Sequence, residues 1–167
     1  MLVGKAHKFG DDISADIHIF DKHSIFSRKD GDDVLQSMAD KMLERLDPDF
    51  RARRRRGDFI VAGRNFGALS MYDQSAAIVK AGGIAAVIAR SFDDLFVRHA
   101  VNRGLLLIGC DTASIATGDE LGLDIEAALV HCKAKRMTLP CRVPHPAVLA
   151  WHAEGGVISY LQRHGAF

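Results

Sequence analysis

The residues best placed to do chemistry lie in one stretch, Gly63-Arg64-Asn65-Phe66-Gly67 with Ser70 just beyond. Paired glycines allow a tight turn and a close backbone approach. Free N–H groups where a helix is about to begin favour an anion. The stretch therefore reads either as a plain turn or as an anion-binding turn. Its spacing is not GxGxxG, and GxxxxGK[ST] is absent, so dinucleotide and P-loop readings have little support. Ser70 reads either as a helix N-cap or as a hydroxyl at the mouth of an anion pocket, able to act as acid or base. No neighbour in sequence offers the base of a hydrolase triad.

Other chemistry-bearing residues point to less. The eight histidines contain no HxxxH or HExxH pattern, so His18, His23, His145 and His152 are expected at the surface or satisfied in the core. No metal site is expected. Asp11, Asp12 and Asp16 sit near Gly10, where turn chemistry accounts for them. Cys110, Cys132 and Cys141 form no CxxC pair and no disulfide framework, which fits a reducing, cytoplasmic compartment. Arg51 and Arg53 to Arg56 invite a nucleic-acid reading. The net charge of +1 favours a solvated connector instead.

The elements that must position these residues follow from periodicity. Residues 1–20 read as two short extended pieces around a Gly10-Asp11-Asp12 turn, and Phe20 to Gly31 as a mobile loop. Val34, Leu35, Met38, Met42, Leu43 and Leu46 recur at helical spacing before Asp47-Pro48. Phe59 to Ala62, Ile84 to Ala89 and Leu105 to Cys110 are apolar strands. Between them lie a helix from Gln74 to Ala81 and another opened by Ser91 as N-cap. The second helix turns Phe92, Leu95, Phe96, His99 and Ala100 inward and closes on Gly104. Strands joined in this way form a parallel βαβαβ unit. Glu120 to Ile125, Ala128 to Lys133 and Lys135 to Leu139 read as antiparallel strands. Two short helices follow, separated by Gly155-Gly156.

The class is mixed α/β: a central parallel βαβαβ unit with flanking antiparallel strands. With 167 residues and 48% hydrophobic content, the chain suits one domain, residues 1–167, with a real core. The longest apolar runs are strand-length, and the first residues lack a signal-peptide core, so neither membrane nor export is expected.

A resemblance goes further. GDFIVAGRNFG at 57–67, followed by AGGIAAVIARSFDDLFVRHAVNRGLLLI at 81–108, resembles the small subunits of 3-isopropylmalate dehydratase. These form the swivelling β/β/α domain of the aconitase superfamily. The opening GKAHKFGDDISAD is similar to the family's G-K-x-x-K-F-G-D-N-I-D-T-D, and Leu46 to Phe50 to its L-D-P-E-F. The closing AVLAWHAEGGVISYLQRHG looks like its last apolar helix, Gly-Gly turn and Y-L.

The resemblance implies a hydro-lyase subunit that moves a hydroxyl between neighbouring carbons of a hydroxy di- or tricarboxylate, as in leucine biosynthesis. No cofactor is implied on this chain; the [4Fe-4S] cluster belongs to a large-subunit partner. Ser70 matches the family's general base. Asn65, Gly67, Tyr72, Lys22 and Asp16 fall at substrate-binding positions.

The departures are concentrated. Where the family reads C-G-S-S-R-E-H-A, this chain has Ala68-Leu69-Ser70-Met71-Tyr72-Asp73-Gln74-Ser75. The second serine is Met71 and the arginine is Tyr72. Asp-Thr-Asp becomes Ser14-Ala15-Asp16, and Lys22 stands for the arginine of P-A-R-Y-L. Leaving a buried carboxylate without its charged partner costs ~2–5 kcal/mol, or on the order of 30- to several-thousand-fold in rate. The alternative reading is a paralogue that lost its chemistry and acts as a partner-binding or regulatory subunit.

Overall fold

The computed structural model describes residues 1–20 and 32–165. Seven strands close into a barrel in the order β1-β2-β3-β4-β7-β6-β5. The strands β1 (Leu2–Lys8), β2 (Phe59–Ala62), β3 (Ala86–Ala89) and β4 (Leu106–Cys110) pair in parallel. The strands β5 (Glu120–Asp124), β6 (Leu129–Cys132) and β7 (Met137–Arg142) pair antiparallel, and they close the barrel through β1/β5 and β4/β7.

The expected parallel unit is present as β2, α3 (Gln74–Ala81), β3, α4 (Asp94–Arg103) and β4, extended by β1. Closure was not legible, because it depends on strand tilt and stagger rather than on any single segment.

The parallel strands β2, β3 and β4 are apolar because both of their faces are covered. Phe59, Val61, Ala86, Ile88, Leu106 and Ile108 share a buried cluster with Leu121, Leu123 and Val130. Their neighbours Ile60, Ala62, Val87 and Ala89 pack in a second cluster with Ile78, Val79, Phe96 and Ala100 of the helices. That second cluster seats α3 and α4 against the parallel strands.

Three local expectations are corrected. The second extended piece is a π-helical turn, Ala15–Ile19, because the Ser14 hydroxyl caps it by accepting from the Ile17 N–H at 3.2 Å. The helix α4 is capped by Asp93, which accepts from the N–H groups of Leu95 and Phe96 at 2.9 and 3.2 Å; Ser91 is not its cap. Gly104 does close α4, in the left-handed conformation at φ 66°.

The arginine run is only partly a solvated connector. After α1 (Asp32–Lys41), a short α2 (Phe50–Arg53) forms, and the Arg54 side chain beyond it is 8% exposed. Its guanidinium donates to the carbonyls of Ala39 and Gly82 at 2.7 and 3.1 Å and to Asp40 at 2.9 Å. It thus ties α1 to the end of α3. The remaining elements, α5 (Pro146–Ala153) and α6 (Val157–His164), lie where the spacing predicts them. Among the described residues, no helix is long and apolar enough to cross a membrane. The expected loop from Phe20 to Gly31, Lys22 and His23 included, lies outside the described residues except for Phe20.

Candidate functional site

The turn after β2 is braced from every side. Gly63 N–H donates to Gly10 O at 3.0 Å and Arg64 N–H to Asp11 Oδ1 at 2.7 Å. Asn65 N–H reaches Ser91 Oγ at 2.9 Å, and Phe66 N–H reaches Ser91 O at 3.0 Å. Gly67 and Ala68 both donate to Ile13 O, at 2.8 and 3.0 Å. In this state all six N–H groups already have protein acceptors, which supports the plain-turn reading of this backbone.

Side chains complete the brace. Asn65 Nδ2 donates to Asp12 Oδ1 at 2.9 Å, and Arg64 forms an ion pair with Asp11 at 3.2 Å. The Asp11 carboxyl is held below its ordinary range, first by the Arg64 N–H and then by the Arg64 side chain. Asp11 and Asp12 thus do turn chemistry, as their positions suggest. Gly67 has φ +87°, and a Cβ there would lie 2.2 Å from Phe96 Cγ. In this state Asn65 and Gly67 hold the turn's shape, through the Asn65 N–H and Nδ2 and the Gly67 N–H.

Ser70 is 1% exposed. It is not the cap of α3, since Asp73 stands at that position. Its Oγ lies 3.0 Å from His99 Nδ1 on α4 and 3.5 Å from Ser75 Oγ on α3. The pocket-mouth expectation fails in this state, because the hydroxyl points between two helices. His99 is the residue that sequence reasoning missed as a partner. Helical spacing had turned it inward beside Phe96, but its meeting with Ser70, 29 residues away in sequence, depends on how α4 packs on α3.

Asp16 comes close by another route. Ser14 and Ala68 form a parallel bridge, with Ala15 N–H donating to Ala68 O at 2.7 Å. Asp16 and Ser70 each follow this bridge by two residues, and Asp16 is half-buried in the π-helical turn. Tyr72 is 44% exposed, its ring 6.1 Å from that of Phe20. Leu69 and Met71 beside it are 64% and 73% exposed, and Leu69 has φ +59°. The structure thus brings Asn65, Gly67, Ser70, Tyr72 and Asp16 to one rim.

Among the described residues, the three thiols are free and are not grouped as cluster ligands. Cys110 and Cys141 face each other across β4 and β7, but burial pushes the Cys110 thiol up to about 11 and raises that of Cys141. Among the described residues, no group of three or more His, Cys, Asp or Glu side chains is arranged to hold a metal.

Residues 9–113 match the model of the aconitase C-terminal domain. The chain belongs to that family. Relatives extend the match to both ends. The chain is 40% identical over 164 residues to 3-isopropylmalate dehydratase small subunit 2 of Archaeoglobus fulgidus, covering 98% of this chain and 96% of the relative. It is 34% identical to the methanogen homoaconitase small subunit of Methanocaldococcus jannaschii, covering 98% and 92%. The crystal structure of 3-isopropylmalate dehydratase from the same archaeon superposes with a TM-score of 0.88 at 34% identity, over 98% of this chain and 95% of that one. The aconitase-family frame and the mixed α/β class expected from the sequence are both present.

Proposed function

We propose that this chain, as one swivel-type domain over residues 1–167, is the small subunit of a cytoplasmic hydro-lyase of the 3-isopropylmalate dehydratase type. End-to-end agreement with such small subunits, in sequence and in fold, carries the reading. The partner is a large subunit that holds the [4Fe-4S] cluster, and among the described residues of this chain no group is arranged to ligate it. The substrate is a small hydroxy di- or tricarboxylate, converted by loss and return of water.

Within that reaction this chain handles a proton. Ser70 Oγ takes it from the carbon beside the one bearing the hydroxyl and returns it to the neighbouring carbon on rehydration. With Ser70 1% exposed, the edge from Leu69 to Tyr72 has to open for substrate to reach the hydroxyl. Asn65, through Asp12, and Gly67, through Ile13, keep the backbone before the serine in place, so that the opening is confined to the segment beyond. Asp16 borders the same rim, and Lys22 supplies a cation from the segment preceding α1.

The test is co-expression with a large subunit of this type and an anaerobic hydration–dehydration assay on a panel of hydroxy acids. Turnover that falls at least ~100-fold in Ser70→Ala, with the complex still assembled, is expected. Assembly without turnover on any acid would instead mark a paralogue that kept docking and lost chemistry.

A further inference from the structure

We infer that His99 is a positioning residue that activates Ser70, accepting the serine's proton at Nδ1 while Ser70 Oγ withdraws the proton of the substrate. The inference rests on the hydro-lyase reading above and adds to it the group that makes the serine basic.

The proton inventory around Ser70 accommodates this direction, with His99 in the tautomer whose Nδ1 is unprotonated. Ser75 has a single hydroxyl proton and donates it to Tyr72 O at 3.2 Å. Ser75 therefore has no proton left for Ser70. The Ser70 proton has two acceptors, Ser75 Oγ at 3.5 Å and His99 Nδ1 at 3.0 Å. The shorter contact lies in the normal hydrogen-bond range and the longer one at its limit.

Among the described residues, the surroundings of Ser70 give the imidazole a role. An alkoxide left alone at a site 1% exposed would be a buried unpaired charge. The positions after Ser70 hold Met71 and Tyr72, which bring no cation. Arg103, one turn beyond His99 on α4, is engaged with Asp73 at 2.8 and 2.5 Å. A neutral imidazole in hydrogen-bond contact removes the difficulty, because the hydroxyl proton leaves as the new one arrives.

Protons and electron pairs balance between substrate, Ser70 and His99, and the partner's cluster, when bound, would supply the Lewis acid that receives the departing hydroxide. The C–H bond of the substrate breaks and a new O–H bond forms on Ser70, while the original O–H proton passes to Nδ1. The C–H electron pair becomes the second bond of the alkene as the C–O bond breaks and hydroxide departs with its pair. Rehydration runs the relay backwards and restores neutral His99.

Three readouts test this. In the full chain labelled with 15N-histidine, His99 Nδ1 should show the shift of an unprotonated, hydrogen-bonded nitrogen, and that signal should move in Ser70→Ala. A protonated Nδ1 donating to Ser70 would overturn the inference. In the assembled enzyme, His99→Asn keeps a polar side chain but not the base. It should lower kcat roughly 100-fold, with KM within about threefold. His99→Gly should regain rate with added imidazole, which a purely structural role would not allow. If Ser70→Ala abolishes turnover but His99→Asn stays within about twofold of wild type, the His99 role falls and the hydro-lyase reading stands. If the wild-type complex turns over no hydroxy acid, both fall together.

Discussion

Two consecutive segments at the rim of the barrel differ sharply. From Gly63 to Ala68, six N–H groups have identified acceptors in the residues after β1 and in Ser91. From Leu69 to Tyr72, the chain carries a left-handed leucine and two side chains turned largely to solvent, while only Ser70 is buried. The first segment follows the aconitase-family pattern closely, and the second departs from it. The braced turn is required by the barrel itself, since it joins β1, β2 and the start of α4. The exposed segment has no such duty, so its residues can change without undoing the fold. Resemblance in the first segment therefore speaks for architecture, and the second is where the proposed chemistry can be tested.

The largest effect should come from breaking the braced turn. In Gly67→Ala the new Cβ would meet Phe96 at 2.2 Å, and the residue would have to keep φ +87°. Overpacking and the left-handed backbone together should cost about 3 kcal/mol. That corresponds to a melting temperature roughly 6–12 °C lower. A melt within about 2 °C of wild type would mean that the turn yields easily, and the contrast between the segments would lose its physical basis.

How much was legible follows the same division. Helices and strands with clean periodicity, α3, β3, α4 and the three antiparallel strands, could be read because local pattern and tertiary environment agree there. The π-helical turn at Ala15–Ile19 could not, since its stability rests on a Ser14 cap and on Ala15 pairing with Ala68, a segment more than fifty residues away. Arg54 escaped for a related reason. A run of arginines looks solvated unless one knows that two helix-end carbonyls and Asp40 converge on it. At the site, Ser70 stood out by its place after the glycine turn and took its general-base role from family resemblance, whereas His99 needed the packing of α4 on α3. Glycine spacing left the turn and anion readings both open, because it records backbone freedom and not which acceptors the N–H groups meet.

The exposed segment can be tested for chemistry without disturbing the fold. Met71→Ser with Tyr72→Arg restores the family's Ser-Ser-Arg at positions that are 73% and 44% exposed. Under the proposed function the arginine adds a charge-assisted contact to a substrate carboxylate, contributing ~1.5–3 kcal/mol. The expected result is a gain of roughly 10- to 150-fold in kcat/KM for 3-isopropylmalate in the assembled enzyme, with an unchanged melting temperature. No gain, in a complex that does turn over another acid, would show that this edge is built for a different substrate group.

The smallest effect probes the brace from its outer side, at Asp11. Its carboxylate accepts the Arg64 N–H at 2.7 Å and pairs with the Arg64 guanidinium, and these contacts hold its pKa below the ordinary value. A lowered folded-state pKa means that the contact stabilises fully above the unfolded value of about 3.9. The contribution fades as pH falls through the lower folded value. The turn should therefore remain intact through the neutral and mildly acidic range and loosen only under strong acid. Because the pair faces solvent, the change should stay local. The Arg64 amide resonance should titrate with a midpoint below the ordinary carboxylate range, and Asp11→Asn should abolish that titration while leaving the melting temperature nearly unchanged. A midpoint at or above the ordinary value would show that Asp11 does not hold the turn, and that the bonds to Ser91 and Ile13 suffice to brace it.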